Sequence, residues 1–222
     1  MPSPLQLAAA AHLNREADAR SRKYPVPTQG TLIERRLDRF KRADAKVFRT
    51  LMKPENADQV IDAMPVGEGE ALHSLLCGDF VFCDLILRMV TRFGAPLSLV
   101  ITTLSLSMKN LVGIEAMFAE FPNFPLHLVV SSYFQSTNKK IFVALETLVA
   151  KFPDRFTITI GRSHAKLVLL DYGQEAGCFV IETSSNLRSS NCLEQVSVFR
   201  ERALFDFHLG WVEAFRATKA EE

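Results

Sequence analysis

The strongest constraint on this chain is a rhythm of short apolar runs alternating with amphipathic stretches. Residues 97–104 (Leu-Ser-Leu-Val-Ile-Thr-Thr-Leu) are strand-length, apolar and rich in β-branched side chains. Such a run predicts a strand buried on both faces. Residues 126–134 and 156–160 have the same character. Between them, 105–121 and 138–152 place apolar residues at helical spacing. The first of these helices is expected to be capped within Ser105-Leu106-Ser107, and the second stops at Pro153. A further helix is predicted over 80–93, ended by Gly94-Ala95-Pro96. Strands then follow one another at 164–170, 178–182 and 195–199, before a closing amphipathic helix at 203–216 that contains Trp211. Strands separated by helices, then strands in succession, predict an α/β fold: a mixed, largely parallel β-sheet flanked by helices on both faces.

The first 30 residues read as an arm, broken by Tyr24-Pro25-Val26-Pro27. Residues 31–48 read as an amphipathic helix with Leu32, Ile33, Leu37, Phe40 and Val47 on one side. Over 15–46, ten Lys/Arg stand against five Asp/Glu, although the whole chain of 222 residues carries a net charge of only +1. This basic face is either a solvated surface or an arm that contacts phosphates. The division expected is an arm with a basic helix over 1–48 and one α/β domain over 49–222. Four cysteines, Cys77, Cys83, Cys178 and Cys192, show no Cys-x-x-Cys pair, which fits a reducing, cytoplasmic compartment and gives no zinc-ligand spacing. No signal peptide and no transmembrane segment is expected.

Chemistry concentrates in Gly161-Arg162-Ser163-His164-Ala165-Lys166, followed by Leu167-Val168-Leu169-Leu170-Asp171. His164 and Lys166 are two apart. In a strand that spacing puts them on one side. An imidazole is a nucleophile and a proton carrier, and an ammonium is a compact cation suited to a phosphate oxygen. Asp171 has the opposite parity, so it is expected to brace the site rather than touch substrate. After a turn at 172–177, the strand over 178–182 leads into Thr183-Ser184-Ser185-Asn186. A hairpin would return Ser184 and Asn186 to the side of His164, where they could donate to phosphate oxygens, or they could be ordinary turn residues. Glu194, beyond Asn191, could reach the second ring nitrogen of His164 and fix its tautomer, or be a surface charge. Arg162, Arg188 and Lys109 are candidate substrate-binding cations. The run from Thr102 to Ser107 could line a pocket or merely cap a helix.

The residues from Ser163 to Val198 resemble the signature of the phospholipase D superfamily. That pattern is His-x-Lys-x4-Asp, a spacer, Gly-Ser-x-Asn, and then an acid before a strand. His164, Lys166 and Asp171 match the first part, Ser184 and Asn186 the second, and Glu194 the acid. Thr183 stands where glycine is usual, and the spacer after Asp171 is longer than the common form. The other histidines, His12, His73, His127 and His208, have no lysine two positions on. Because family members use two motifs per site, the resemblance implies a homodimer that shares one. It also implies a phosphohistidine intermediate with no metal and no cofactor. Single-motif members resemble small nucleases, so the expected activity is a metal-independent phosphodiesterase, a nuclease acting on DNA or RNA. The alternatives are a catalytically weak nucleic-acid-binding member of the same fold, or a lipid phosphodiesterase.

Overall fold

A computed structural model describes residues 47–52, 54, 56–76, 80–188 and 192–220. The arm and most of the basic helix read over 1–48 lie outside these residues. The last two positions of that helix, 47 and 48, fall instead in the first strand.

Eight strands form one sheet: β1 Val47–Met52, β2 Glu70–Leu76, β3 Ser98–Thr103, β4 Leu126–Ser131, β5 Phe156–Gly161, β6 Leu167–Asp171, β7 Cys178–Thr183 and β8 Glu194–Arg200. Their spatial order is β1-β2-β8-β7-β6-β3-β4-β5. β1 is parallel to β2, and β3, β4 and β5 are parallel to one another. β6 and β8 run against all their neighbours. Six of the eight strands therefore point the same way, and the two reversed ones are interleaved near the middle. The sheet is mixed, as the succession of strands late in the chain predicts. β3 is the switch point: the chain moves outward from it through β4 to β5, then returns to its other side as β6.

Alternation along each strand builds two faces. On one, Leu99, Ile101, Leu126, Leu128, Val130, Phe156, Val168, Leu170, Phe179, Ile181, Val196 and Val198 share a core with the helices Ala57–Asp62, Phe82–Phe93, Met108–Glu120 and Lys139–Lys151. Within that core, Phe118 meets Phe124, Phe152 and Phe156 at centroid distances of 5.4, 4.8 and 5.4 Å. The opposite face is covered by the helix Arg202–Ala220, which lies on β5, β6 and β7. No helix among the described residues is long and apolar enough to cross a membrane.

One boundary differs from the sequence reading for a clear reason. The run 126–134 ends as a strand at Ser131, whose side chain accepts a hydrogen bond from the Tyr133 amide and starts a short helix, Ser132–Thr137. The helix Met108–Glu120 is capped by Ser107 as expected, in a reciprocal capping box with Asn110.

At Gly161 the long helix packs tightly on the sheet. A Cβ there would sit 2.4 Å from Phe215 Cζ and 2.9 Å from its Cε1. A phenyl ring wedged against a sheet cannot yield that distance cheaply, so Gly161→Ala should cost roughly 1–3 kcal/mol by overpacking. Activity should fall too, because the residue leads directly into Arg162-Ser163-His164. Thermal unfolding checks the first effect. An unchanged Tm would mean that the helix slides away without resistance.

Candidate active site

The carboxyl ends of β3, β4, β5 and β7 and the amino ends of β6 and β8 lie along one edge of the sheet, because β6 and β8 are reversed. That edge, next to a switch point, is where open α/β sheets bind ligands.

His164 and Lys166 lie on this edge, in the irregular link 162–166 that joins β5 to β6. The strand predicted from residue 164 begins only at Leu167, so strand parity does not bring the two side chains together. They meet nonetheless: Lys166 Nζ is 3.3 Å from His164 Nδ1. The link is held by a hydrogen bond from the Ala165 amide to Ser163 Oγ and another from the Ser163 amide to the Gly161 carbonyl. An ammonium can only donate. Nδ1 is therefore the acceptor in this contact.

The hairpin of β6 and β7 sets Leu167 opposite Glu182, so the Thr183 amide donates to the Lys166 carbonyl at 3.2 Å. Thr183, where glycine would fit the resemblance, uses its hydroxyl twice. It donates to the Gln195 carbonyl at 2.8 Å and accepts from the Ser185 amide at 2.9 Å. Ser184 Oγ donates to Glu194 Oε2 and accepts from the Gln195 amide. The acid is thus engaged by Ser184, not by the imidazole as the sequence reading expected. The turn continues to Leu187, whose amide donates to Thr103 Oγ1 at 3.3 Å and whose carbonyl accepts from Asn110 Nδ2 at 3.3 Å. The Cys83 amide adds a third tie to that carbonyl. Between these ties, Asn186 holds its Oδ1 buried and without a partner.

Asp171 is at the other end of β6, about 16 Å from Lys166 at roughly 3.3 Å per strand residue. It pairs with Arg202 at 2.8 Å and accepts from the Gly173 amide at 2.9 Å. Partial burial pushes its carboxyl upward. The Arg202 hydrogen bond, the Gly173 amide and the Arg202 charge together outweigh burial and hold the group below its ordinary value. Asp171 anchors the long helix to the sheet and takes no part in the edge that carries His164.

Of the candidate cations, Arg162 lies beside His164 and is exposed. Arg188 is exposed at the end of the Ser184–Leu187 turn, next to residues outside the described set. Lys109 opens the Met108–Glu120 helix and pairs loosely with Asp84 at 3.7 Å. Asn191 lies outside the described residues. An open depression of about 460 Å³ adjoins His164 and is lined also by Leu104, Ser131, Ser132, Tyr133 and Arg162. Sequence reasoning missed Ser131, Ser132 and Tyr133. The available signal was the abrupt change from apolar to hydroxyl residues at 131, which marks a strand end. Among the described residues, no group of three His, Cys, Asp or Glu side chains is placed to hold a metal ion.

Neither a family model nor a curated protein sequence matches the chain. A solved structure resembles it: polyphosphate kinase from Porphyromonas gingivalis, with a TM-score of 0.50 and 11% sequence identity. The likeness covers 76% of this chain and 30% of that one, so the chain spans about a third of that protein's length. At this identity the likeness shows the fold alone, a mixed α/β sheet flanked by helices.

Proposed function

We propose that this chain is a metal-independent phosphodiesterase of the phospholipase D type, acting as a nuclease through a phosphohistidine formed on His164. The observation that carries the reading is the His164–Lys166 pair, 3.3 Å apart at the binding edge of the sheet, beside an open depression. A polyphosphate kinase shares the fold, and its name denotes phosphoryl transfer, which supports chemistry at phosphorus.

One copy supplies one imidazole, and displacement at phosphorus followed by hydrolysis needs two. The proposed unit is therefore a homodimer with the site at its two-fold axis. The protonation state of the pair assigns the roles. The ring that protonates the leaving oxygen must carry a proton on both nitrogens, so that giving up Nε2–H leaves it neutral. To attack, Nε2 must be bare and Nδ1 must carry the proton, which requires Lys166 to leave it. An incoming phosphate draws the ammonium to its own nonbridging oxygen, so substrate binding itself frees one ring. Nε2 of that ring bonds to phosphorus as the P–O bond to the leaving group breaks. The partner's ring, as an imidazolium, donates its Nε2 proton to that oxygen and is left neutral. The neutral partner ring then takes a proton from water, whose oxygen displaces the imidazole from phosphorus and restores both rings. Asn186 Nδ2 and Lys166 neutralise the nonbridging oxygens. Asp171 positions only through the fold.

A second reading has one observation in its favour. Glu194 is bound by Ser184, so among the described residues no carboxylate orients the ring for attack. On that reading the protein binds nucleic acid without cleaving it. One experiment separates the two. The full-length protein is incubated with labelled single-stranded DNA in chelator, quenched, and examined for an acid-labile phosphoryl adduct at His164. Light scattering should give a mass near twice 24.9 kDa. Salt-sensitive binding with neither adduct nor cleavage would select the second reading.

A further inference from the structure

We propose that the depression beside His164 is a subsite for one unpaired nucleobase, with the Tyr133 ring as its platform, so that the substrate is single-stranded nucleic acid. This rests on the phosphodiesterase reading of His164 and deepens it. Tyr133 is 64% exposed, although it lies in the first turn of a helix directly after a buried strand. The backbone from which it projects is fixed on both sides. Its amide donates to Ser131 Oγ at 3.2 Å, and its carbonyl accepts from Ser136 Oγ at 2.9 Å and Thr137 Oγ1 at 2.7 Å. The ring is thus an aromatic face on a rigid mount, with few torsions to order on binding.

The same depression holds Arg162 and His164, a cation and the candidate reacting group. A phosphodiester engaged there carries a sugar and base on each side, and Tyr133 is the aromatic group on the Arg162 side. The volume of about 460 Å³ is that of a site for a ligand of nucleotide size. Leu104 supplies apolar lining, and the polar lining is mostly hydroxyl: Ser131, Ser132 and Ser163. A π-face with hydroxyls fits stacking that tolerates any base. A duplex keeps both faces of its bases stacked, so only an unpaired base can use the platform.

The test is fluorescence anisotropy on the His164→Ala protein, where no turnover intrudes, with two strands of equal length and charge. One is oligothymidylate, and the other has the same backbone with abasic tetrahydrofuran residues. The parent should hold the base-bearing strand about tenfold more tightly, as one stacked base is worth. Adding Tyr133→Ala should abolish that difference while leaving abasic binding unchanged, and Tyr133→Phe should retain it. Equal binding of the two strands by the parent would overturn the proposal, as would a duplex bound as tightly as the single strand. A Tyr133→Ala protein that changes oligomeric state would also overturn it, since the ring would then belong to an interface. The two readings fail separately. Base discrimination that depends on Tyr133 with no cleavage by the unmodified protein would sink the catalytic scheme and leave the subsite standing. Cleavage of both strands at equal rates would do the reverse.

Discussion

His164→Ala should lower turnover of a single-stranded DNA or a simple phosphodiester by about 10³-fold or more, because in the proposed scheme one imidazole fills both roles. Removing it would delete the proposed nucleophile in one subunit and the proposed proton donor in the other. Lys166→Ala should act nearly as strongly, since the proposed role of the ammonium is to hold the phosphate. Neither variant should disturb folding. His164 is exposed, and Lys166 approaches it at 3.3 Å. Surface changes of this kind usually shift stability by no more than about 0.5 kcal/mol. Turnover measured with chelator, beside urea denaturation of the same preparations, checks both halves. A His164→Ala protein that keeps half its activity removes this residue from the chemistry. One that unfolds early shows that the ring had a structural duty instead.

The largest effect on stability is expected at Phe118. Its side chain is 0% exposed and lies among Phe124, Phe152 and Phe156, with the Arg155 guanidinium 4.8 Å above the ring. The same arginine donates to the carbonyls of Phe118 and Phe121, closing the carboxyl end of the Met108–Glu120 helix. Phe118→Ala therefore opens a cavity among aromatic rings and also removes the surface on which Arg155 rests. The expected cost is about 3–5 kcal/mol. For a protein of this size that is a fall in Tm of roughly 10 °C. Equilibrium denaturation in urea gives the figure directly. A loss under about 1 kcal/mol would mean that the neighbouring rings close the gap.

The parts of the fold legible in the sequence were those whose strands are buried on both faces. Runs such as 97–104 and 126–131 leave few alternatives, because such uniform β-branched content does not suit a surface helix. β2 was not read as a strand. It carries His73 and Ser74, polar residues that interrupt the apolar pattern, and His73 meets Ser197 across the sheet at 2.9 Å. That partner is 124 positions away and has no local signature. The short helix at 132–137 was hidden for the opposite reason. Tyr133 and Phe134 have strand preferences, and the Ser131 cap overrides them.

The candidate site was legible as a list of residues but not as an arrangement. His-x-Lys spacing pointed to His164 and Lys166, yet they come together through an irregular link rather than a strand. Ser184 and Glu194 were expected to face phosphate and imidazole separately, and they face each other. Tyr133 was invisible as a site residue, because nothing in a linear sequence says that the ends of β4 and β5 share a depression with the start of β6.

The four glycines with left-handed backbones, Gly69, Gly94, Gly173 and Gly177, all sit where the chain doubles back at the rim away from His164. That rim also contains the extra length between Asp171 and Ser184, folded as the single helical turn Gly173–Ala176. The positive-φ glycines and the extra hairpin length thus lie on one border and the candidate site on the other. The chain can lengthen or shorten its hairpin without moving a reacting atom. A reporter dye or affinity tag placed at Gln174 would ride on the molecule without touching its chemistry.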